Sequence, residues 1–289
     1  MDQRIIDLYD NFTHGGFSRR EFLDRLAQIA GSGAAALALL PLLQNDYARA
    51  ATIATDDARL VTETWSYDAA GTRVSGYLAR LKVKARRPAV IVVHENRGLN
   101  PHIEDIARRL AIEGFLAFAV DLLSPLGGTP ADENKARDMI GTLDADATAH
   151  RLAAAVPFLQ AHAESTGNVG AVGFCWGGGM VNRIAVLAPD LKAAVAYYGA
   201  QPPATQVASI HAALLLHYAG LDQRIDAGIP AYEAALNAAH KDYAIYVYPN
   251  VNHAFNNDTG GRYNKPAADL AWSRTVAFLS DKLGAPPAQ

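Results

Sequence analysis

Asn168-Val169-Gly170-Ala171-Val172-Gly173-Phe174-Cys175-Trp176-Gly177-Gly178 is the stretch whose reading decides the fold. Its first half reads as a short buried strand. The residues after it, Gly178 to Leu187, read as a helix. Between them, Gly173-Phe174-Cys175-Trp176-Gly177 has the form G-x-nucleophile-x-G. So sharp a strand-to-helix turn leaves no room for side chains at the flanking positions and lifts the central residue clear of the sheet. The helix start adds unpaired N–H groups and a partial positive charge, which favour a thiolate over a thiol. A lone cysteine is ordinarily a small buried hydrophobe; the strand-turn-helix setting assigns Cys175 the nucleophile's role instead. It is the chain's single cysteine, so no internal disulfide can form.

Outward from the turn, strand-like and helix-like segments alternate. Arg59 to Tyr67 and Thr72 to Leu81 have period-two character around Gly71 and predict an antiparallel hairpin. Ala89 to Val93 and Phe115 to Val120 are continuous apolar runs, as in strands buried on both faces. Further strands are expected at Ala193 to Tyr198, Ala212 to Tyr218 and Tyr243 to Tyr248. Helices are expected at His102 to Glu113, Ala131 to Ile140, Ala145 to Ala163, Ile229 to His240 and Asp269 to Leu283. Alternation of this kind predicts an α/β domain over residues 51–289: a mostly parallel sheet of about eight strands, helices on both faces, and the first hairpin at one edge.

In such sheets active residues collect beyond the carboxyl ends of the strands. That rule selects Glu95, Asn96 and Arg97 after the Ala89 strand, Cys175, Asp222 after the Ala212 strand, and His253 after the Tyr243 strand. A nucleophile needs a base and the base an orienting group. Cys175, Asp222 and His253 follow one another in the order nucleophile, acid, histidine. Asp226, one helical turn on, is a rival acid, and Asp258 another. His217, inside its strand, reads as packed. The backbone N–H groups of Trp176 and Asn96 are candidates for an oxyanion hole. Glu95 either hydrogen-bonds the sulfur in its protonated form while the site is empty, or caps the Pro101 helix, or pairs with Arg97. No histidine pair has metal-ligand spacing, so no metal is expected.

The 289 residues carry a formal net charge of −3 and no basic run, which argues against nucleic acid as a partner. Residues 1–50 form a separate leader or helical extension. Ser18-Arg19-Arg20-Glu21-Phe22-Leu23, the small-residue apolar run Leu26 to Leu43 and Ala48-Arg49-Ala50 match the parts of a twin-arginine export signal. That predicts a periplasmic protein with no stable membrane insertion of the mature domain. The other reading is a retained helical hairpin docked on the domain of a cytoplasmic protein; the acidic Asp2, Asp7 and Asp10 ahead of the arginines fit it. The sequence carries no signal of oligomeric state.

His94-Glu95-Asn96-Arg97-Gly98, Gly173-Phe174-Cys175-Trp176-Gly177-Gly178, Tyr197-Tyr198-Gly199, Gly220-Leu221-Asp222 and His253-Ala254-Phe255 together resemble the dienelactone hydrolase (carboxymethylenebutenolidase) family across residues 60 to 283. The resemblance implies an α/β-hydrolase fold, a Cys-His-Asp triad, no cofactor, and a glutamate that gates the cysteine, here Glu95. The leader resembles that of a branch with an extra N-terminal segment. One departure stands out. Members that hydrolyse dienelactone hold its carboxylate with two arginines. Here the first falls on Pro125 in Asp121-Leu122-Leu123-Ser124-Pro125 and the second on Asn257. Arg97 or Arg262 would have to replace them. With Tyr198 and Asn257, Arg97 is a candidate substrate contact. The expectation is a hydrolase of small neutral or differently charged esters or lactones, working through an acyl-thioester. A non-catalytic binding homologue, or a thioesterase- or peptidase-like hydrolase, is the alternative.

Overall fold

A computed structural model describes residues 2–47 and 51–284. Eight strands form one sheet: β1 (Leu60–Ala69), β2 (Thr72–Leu81), β3 (Arg87–Val93), β4 (Leu116–Asp121), β5 (Ser165–Phe174), β6 (Ala193–Tyr197), β7 (Ala213–Ala219) and β8 (Tyr243–Tyr248). Their order is β1-β2-β4-β3-β5-β6-β7-β8. The β1–β2 and β2–β4 pairings are antiparallel and all others parallel, so the hairpin forms the edge the alternating pattern predicts. β3 is buried along its whole length, as its β-branched run requires. The two faces carry separate apolar layers, one around Ile91, Phe118 and Ile184, the other around Val92, Phe115 and Phe255.

The helices over the sheet are α4 (Pro101–Ile112), α5 (Glu133–Gly141), α6 (Ala145–Ala153), α7 (Ala155–Gln160), α8 (Trp176–Leu187), α9 (Gln223–Asp226), α10 (Ile229–Ala238) and α11 (Lys265–Leu283). The single helix expected over Ala145 to Ala163 is two. Pro157 has no N–H for the carbonyl four residues back, which breaks the ladder near Ala154. α11 starts at Lys265, four residues before the expected Asp269, because Asn264 caps it: its Oδ1 accepts the Ala267 N–H at 3.1 Å. α8 likewise starts at Trp176, directly after the turn.

Residues 3–43 fold as three helices rather than a hairpin: α1 (Gln3–Thr13), α2 (Arg19–Ala30) and α3 (Gly33–Leu43). Ser18 and Glu21 form a reciprocal capping box, so the stretch carrying the paired arginines is also a helix start. Arg19 and Arg20 are exposed in its first turn. The apolar run breaks at Gly31-Ser32, where Ser32 Oγ accepts the Ala35 N–H at 3.1 Å. Ile5, Tyr9, Phe12, Phe22, Leu26, Ala36 and Leu43 give this segment its own small core. No single helix among the described residues is long and apolar enough to cross a membrane; α2 and α3 reach the length only as a pair bent by 109°. Ala48-Arg49-Ala50 lies outside the described residues.

Candidate active site

The turn after β5 is as tight as its glycines imply. Cys175 sits at φ 57°, ψ −120°, a conformation L-residues avoid, at a cost of about 1–3 kcal/mol. A Cβ on Gly173 would come within 2.2 Å of the Gly177 carbonyl oxygen, and one on Gly177 within 2.3 Å of the His94 carbonyl oxygen. Both clashes are with backbone, which has nowhere to go. The sulfur therefore stands at the N-terminus of α8, where the Trp176 N–H has no intrahelical partner. Asn96 lies in the β3–α4 connection on the same side. Its side-chain Nδ2 donates to the Thr13 carbonyl oxygen at 2.8 Å. Trp176 stacks on the buried His94 ring, with centroids 5.4 Å apart, which fixes the first residue of α8.

His253 and Asp222 meet from loops 31 residues apart: Nδ1 and Oδ2 are 2.5 Å apart and both residues are buried. The second oxygen of Asp222 accepts the Ile225 N–H at 3.2 Å and so caps α9. The His253 Nε2 has no hydrogen-bond partner. It belongs to a cluster in which Cys175 Sγ and one nitrogen each of His253 and His14 lie within 4.8 Å of one another. Burial pushes the Cys175 thiol up, but the imidazoles of His253 and His14 outweigh it and bring the thiol down to about 6. Burial alone would lower His253; the Cys175 sulfur, Asp10 and the Asp222 hydrogen bond reverse that and hold it well above the usual imidazole range. Of the rival acids, Asp226 does not contact the ring. Burial first, then the charge of Asp222, raises its carboxyl to about 6. Asp258 is engaged elsewhere, with Arg109 and with His102 at 3.1 Å. His217 is packed, hydrogen-bonded to Thr275 and Tyr248.

Glu95 differs from expectation. Its Oε2 accepts from Asn257 Nδ2 at 2.8 Å, and Oε1 is buried without a partner. It does not bond the sulfur, it does not cap α4 (Asn100 does, through the Ile103 N–H) and Arg97 pairs with Glu133 instead. His14 at the C-terminal end of α1 also reaches the sulfur, with Nε2 3.3 Å from Sγ. No sequence signal pointed there: 161 residues separate the two, and His14 belongs to a segment that reads as a leader. Of the candidate substrate contacts, Tyr198 lies against the His253 ring at 4.8 Å with its hydroxyl buried and unpartnered. Asn257 is held by Glu95 and Thr259. Arg262 is bound by Asp10 at 2.7 Å. Two nitrogens and a sulfur are donors a soft metal could use. Here, however, the Arg224 guanidinium, Nη2 3.3 Å from His14 Nε2, already places positive charge against the cluster, and we read it as a proton-sharing group.

Residues 74–283 match the dienelactone hydrolase family, and residues 1–32 match a separate family described as YqhI-like. A Saccharolobus solfataricus protein whose name proposes it as a carboxymethylenebutenolidase is 32% identical over 249 residues, 74% of this chain and 96% of its own length. A crystal structure of a proposed dienelactone hydrolase from Klebsiella pneumoniae superposes with a TM-score of 0.69 at 29% identity, covering 76% of this chain and 98% of that one. The dienelactone hydrolase-like promiscuous phosphotriesterase P91, from metagenomic libraries, gives 0.69 at 26% identity, over 78% and 100%.

Proposed function

The chain belongs to the dienelactone hydrolase family, and from that premise we propose that it hydrolyses small esters or lactones through Cys175, His253 and Asp222. The observation that carries this reading is the buried 2.5 Å contact of His253 with Asp222, beside a cysteine raised on a strained turn. The thiolate attacks the ester carbonyl carbon, and the carbonyl electrons move onto its oxygen. The backbone N–H groups of Trp176 and Asn96 receive that oxyanion. The C–O bond then breaks, and the imidazolium of His253 gives its proton to the departing alkoxide. Neutral His253 next takes a proton from water, whose oxygen attacks the thioester. The carboxylic acid leaves and the sulfur returns as thiolate beside imidazolium. Asp222 holds the Nδ1 proton throughout and stabilises the imidazolium.

Neutral substrates fit best. A carboxylate-bearing lactone needs charge-assisted clamps, and Arg97 and Arg262, the arginines that line the cavity at Cys175, are already bound by Glu133 and Asp10. The test is p-nitrophenyl acetate with intact-mass detection. Wild type gains one acetyl group at Cys175 and releases acetate. Cys175→Ala does neither; if it retains turnover, the sulfur is not the nucleophile. Export of the protein with loss of residues 1–50 stands as a proposal beside retention of the docked helices. N-terminal sequencing from the native host separates them: a chain starting at Ala51 means that the segment leaves, one starting at Met1 or Asp2 that it stays.

A further inference from the structure

We propose that His14 gates Cys175: the N-terminal helices lay its imidazole on the sulfur, where an acyl group must go, and substrate enters only when that segment moves off. This rests on the reading of Cys175 as nucleophile and deepens it.

Three observations converge. The first is occlusion. The cavity that reaches Cys175, His253, Glu95 and Asn96 has a volume of only about 20 Å³ and is closed by Tyr9, Thr13 and His14. That is room for about one water molecule and not for an ester. The second is that His14 is held in place. Its Nδ1 bonds the Asp10 carbonyl oxygen at 2.7 Å, which turns Nε2 to the sulfur. Charged, it donates to a thiolate; neutral, it accepts from a thiol. In both states it satisfies the sulfur while the site holds no substrate, the role expected of Glu95.

The third is the character of the seam. The core of α1–α3 contains only residues of that segment. Against the hydrolase domain the segment places polar contacts: Asp10 with Arg262 at 2.7 Å, Gln3 with Asn252 at 2.5 Å, Thr13 O with Asn96, and the Asp46 N–H with the Thr259 carbonyl oxygen at 2.8 Å. Polar contacts trade readily for water, so their net contribution is small for the area they cover. Besides these, the guanidinium groups of Arg137 and Arg262 lie over the rings of Phe12 and Tyr9; a unit with its own apolar core, docked through such contacts, can swing away with its internal packing kept. On the open side of the seam, a cavity of about 450 Å³ runs between α1 and Asp222, Arg224 and His253. With α1 displaced it becomes continuous with the sulfur and is large enough for a small ester.

The test uses the full chain and its single cysteine. Iodoacetamide labelling is followed by intact mass from pH 5 to 10 for wild type, His14→Ala and Asp10→Asn, with near-UV circular dichroism to confirm that each is folded. The charged and titratable groups facing the thiol or His14 are Asp10, Arg224, Arg262, His253, Glu95 and Tyr198. Above the thiol's midpoint, both variants should label about tenfold faster than wild type, because the cover is gone or loosened. In His14→Ala the midpoint should also rise, as the imidazole beside the sulfur and its hydrogen bond are lost. The same high-pH rate in all three proteins would overturn the gate, and so would faster labelling confined to unfolded samples. Asp10→Asn keeps the imidazole and its bond to the residue-10 carbonyl but removes the carboxylate charge that ties α1 to Arg262 and Arg224, so it reads docking without deleting the group on the sulfur. Labelling needs no turnover. Fast labelling without ester hydrolysis in any variant would uphold the gate and sink the hydrolase mechanism. Hydrolysis with uniform labelling would do the reverse.

Discussion

Replacing Asp222 by Asn isolates the charge that the mechanism assigns to the acid. The contact with His253 is 2.5 Å and buried on both sides, so solvent screens it little. With charge centres about 4 Å apart and an effective dielectric constant of about 20, the carboxylate stabilises an imidazolium by about 4 kcal/mol. An amide that turns its oxygen to Nδ1 keeps a neutral hydrogen bond worth about 1 kcal/mol. The difference, about 3 kcal/mol, predicts a fall of more than about a hundredfold in kcat/KM. The amide cannot serve both partners. With its oxygen on His253 it turns NH₂ to the Ile225 N–H, loses the 3.2 Å cap of α9 and costs stability by about 1 kcal/mol. The assay is p-nitrophenyl acetate hydrolysis with wild type, Asp222→Asn and Asp226→Asn, alongside thermal melts. Asp226 does not touch the ring, so Asp226→Asn should stay within about threefold of wild type, a change worth under 1 kcal/mol. An Asp222→Asn enzyme that keeps wild-type kcat/KM, or an Asp226→Asn enzyme that loses as much, would refute the assignment of the acid.

Gly177→Ala drives a methyl to 2.3 Å from the His94 carbonyl oxygen and 2.5 Å from that of Val93; it should lower stability by about 2 kcal/mol or more and remove activity, read by calorimetry and ester turnover. The thiol's depressed value of about 6 means that the anion persists down to that pH and is lost below it; turnover by the loosened Asp10→Asn protein should therefore hold from pH 8 to 7 and decline as pH falls through 6, whereas a decline already complete near the ordinary thiol value would contradict it. An acidic lactone and its methyl ester should turn over at similar rates, because Arg97 and Arg262 are occupied by Glu133 and Asp10; a strong preference for the free acid would show that one of them is released to bind it.

What the sequence determined by itself is the part of this protein set by short-range sterics and composition. A run such as Ala89 to Val93 suits only a strand buried on both faces, and glycines two before and two after Cys175 suit only a turn with no space for a Cβ. The sheet, its antiparallel edge and the tight turn at Cys175 were therefore legible. Tertiary structure alone decided the rest. Asp222 and Asp226 stand one helical turn apart with equal chemistry, and only the direction of the His253 loop chooses between them. Which group Glu95 meets was equally open, and the fold sets one of its oxygens on Asn257, 162 residues away. The contact of His14 with Cys175 depends on how three short helices dock across the mouth of the site, and no periodicity or motif links residues so far apart. Local geometry is written in neighbouring residues, whereas the partner of a buried polar atom is chosen by whichever distant groups the fold packs against it.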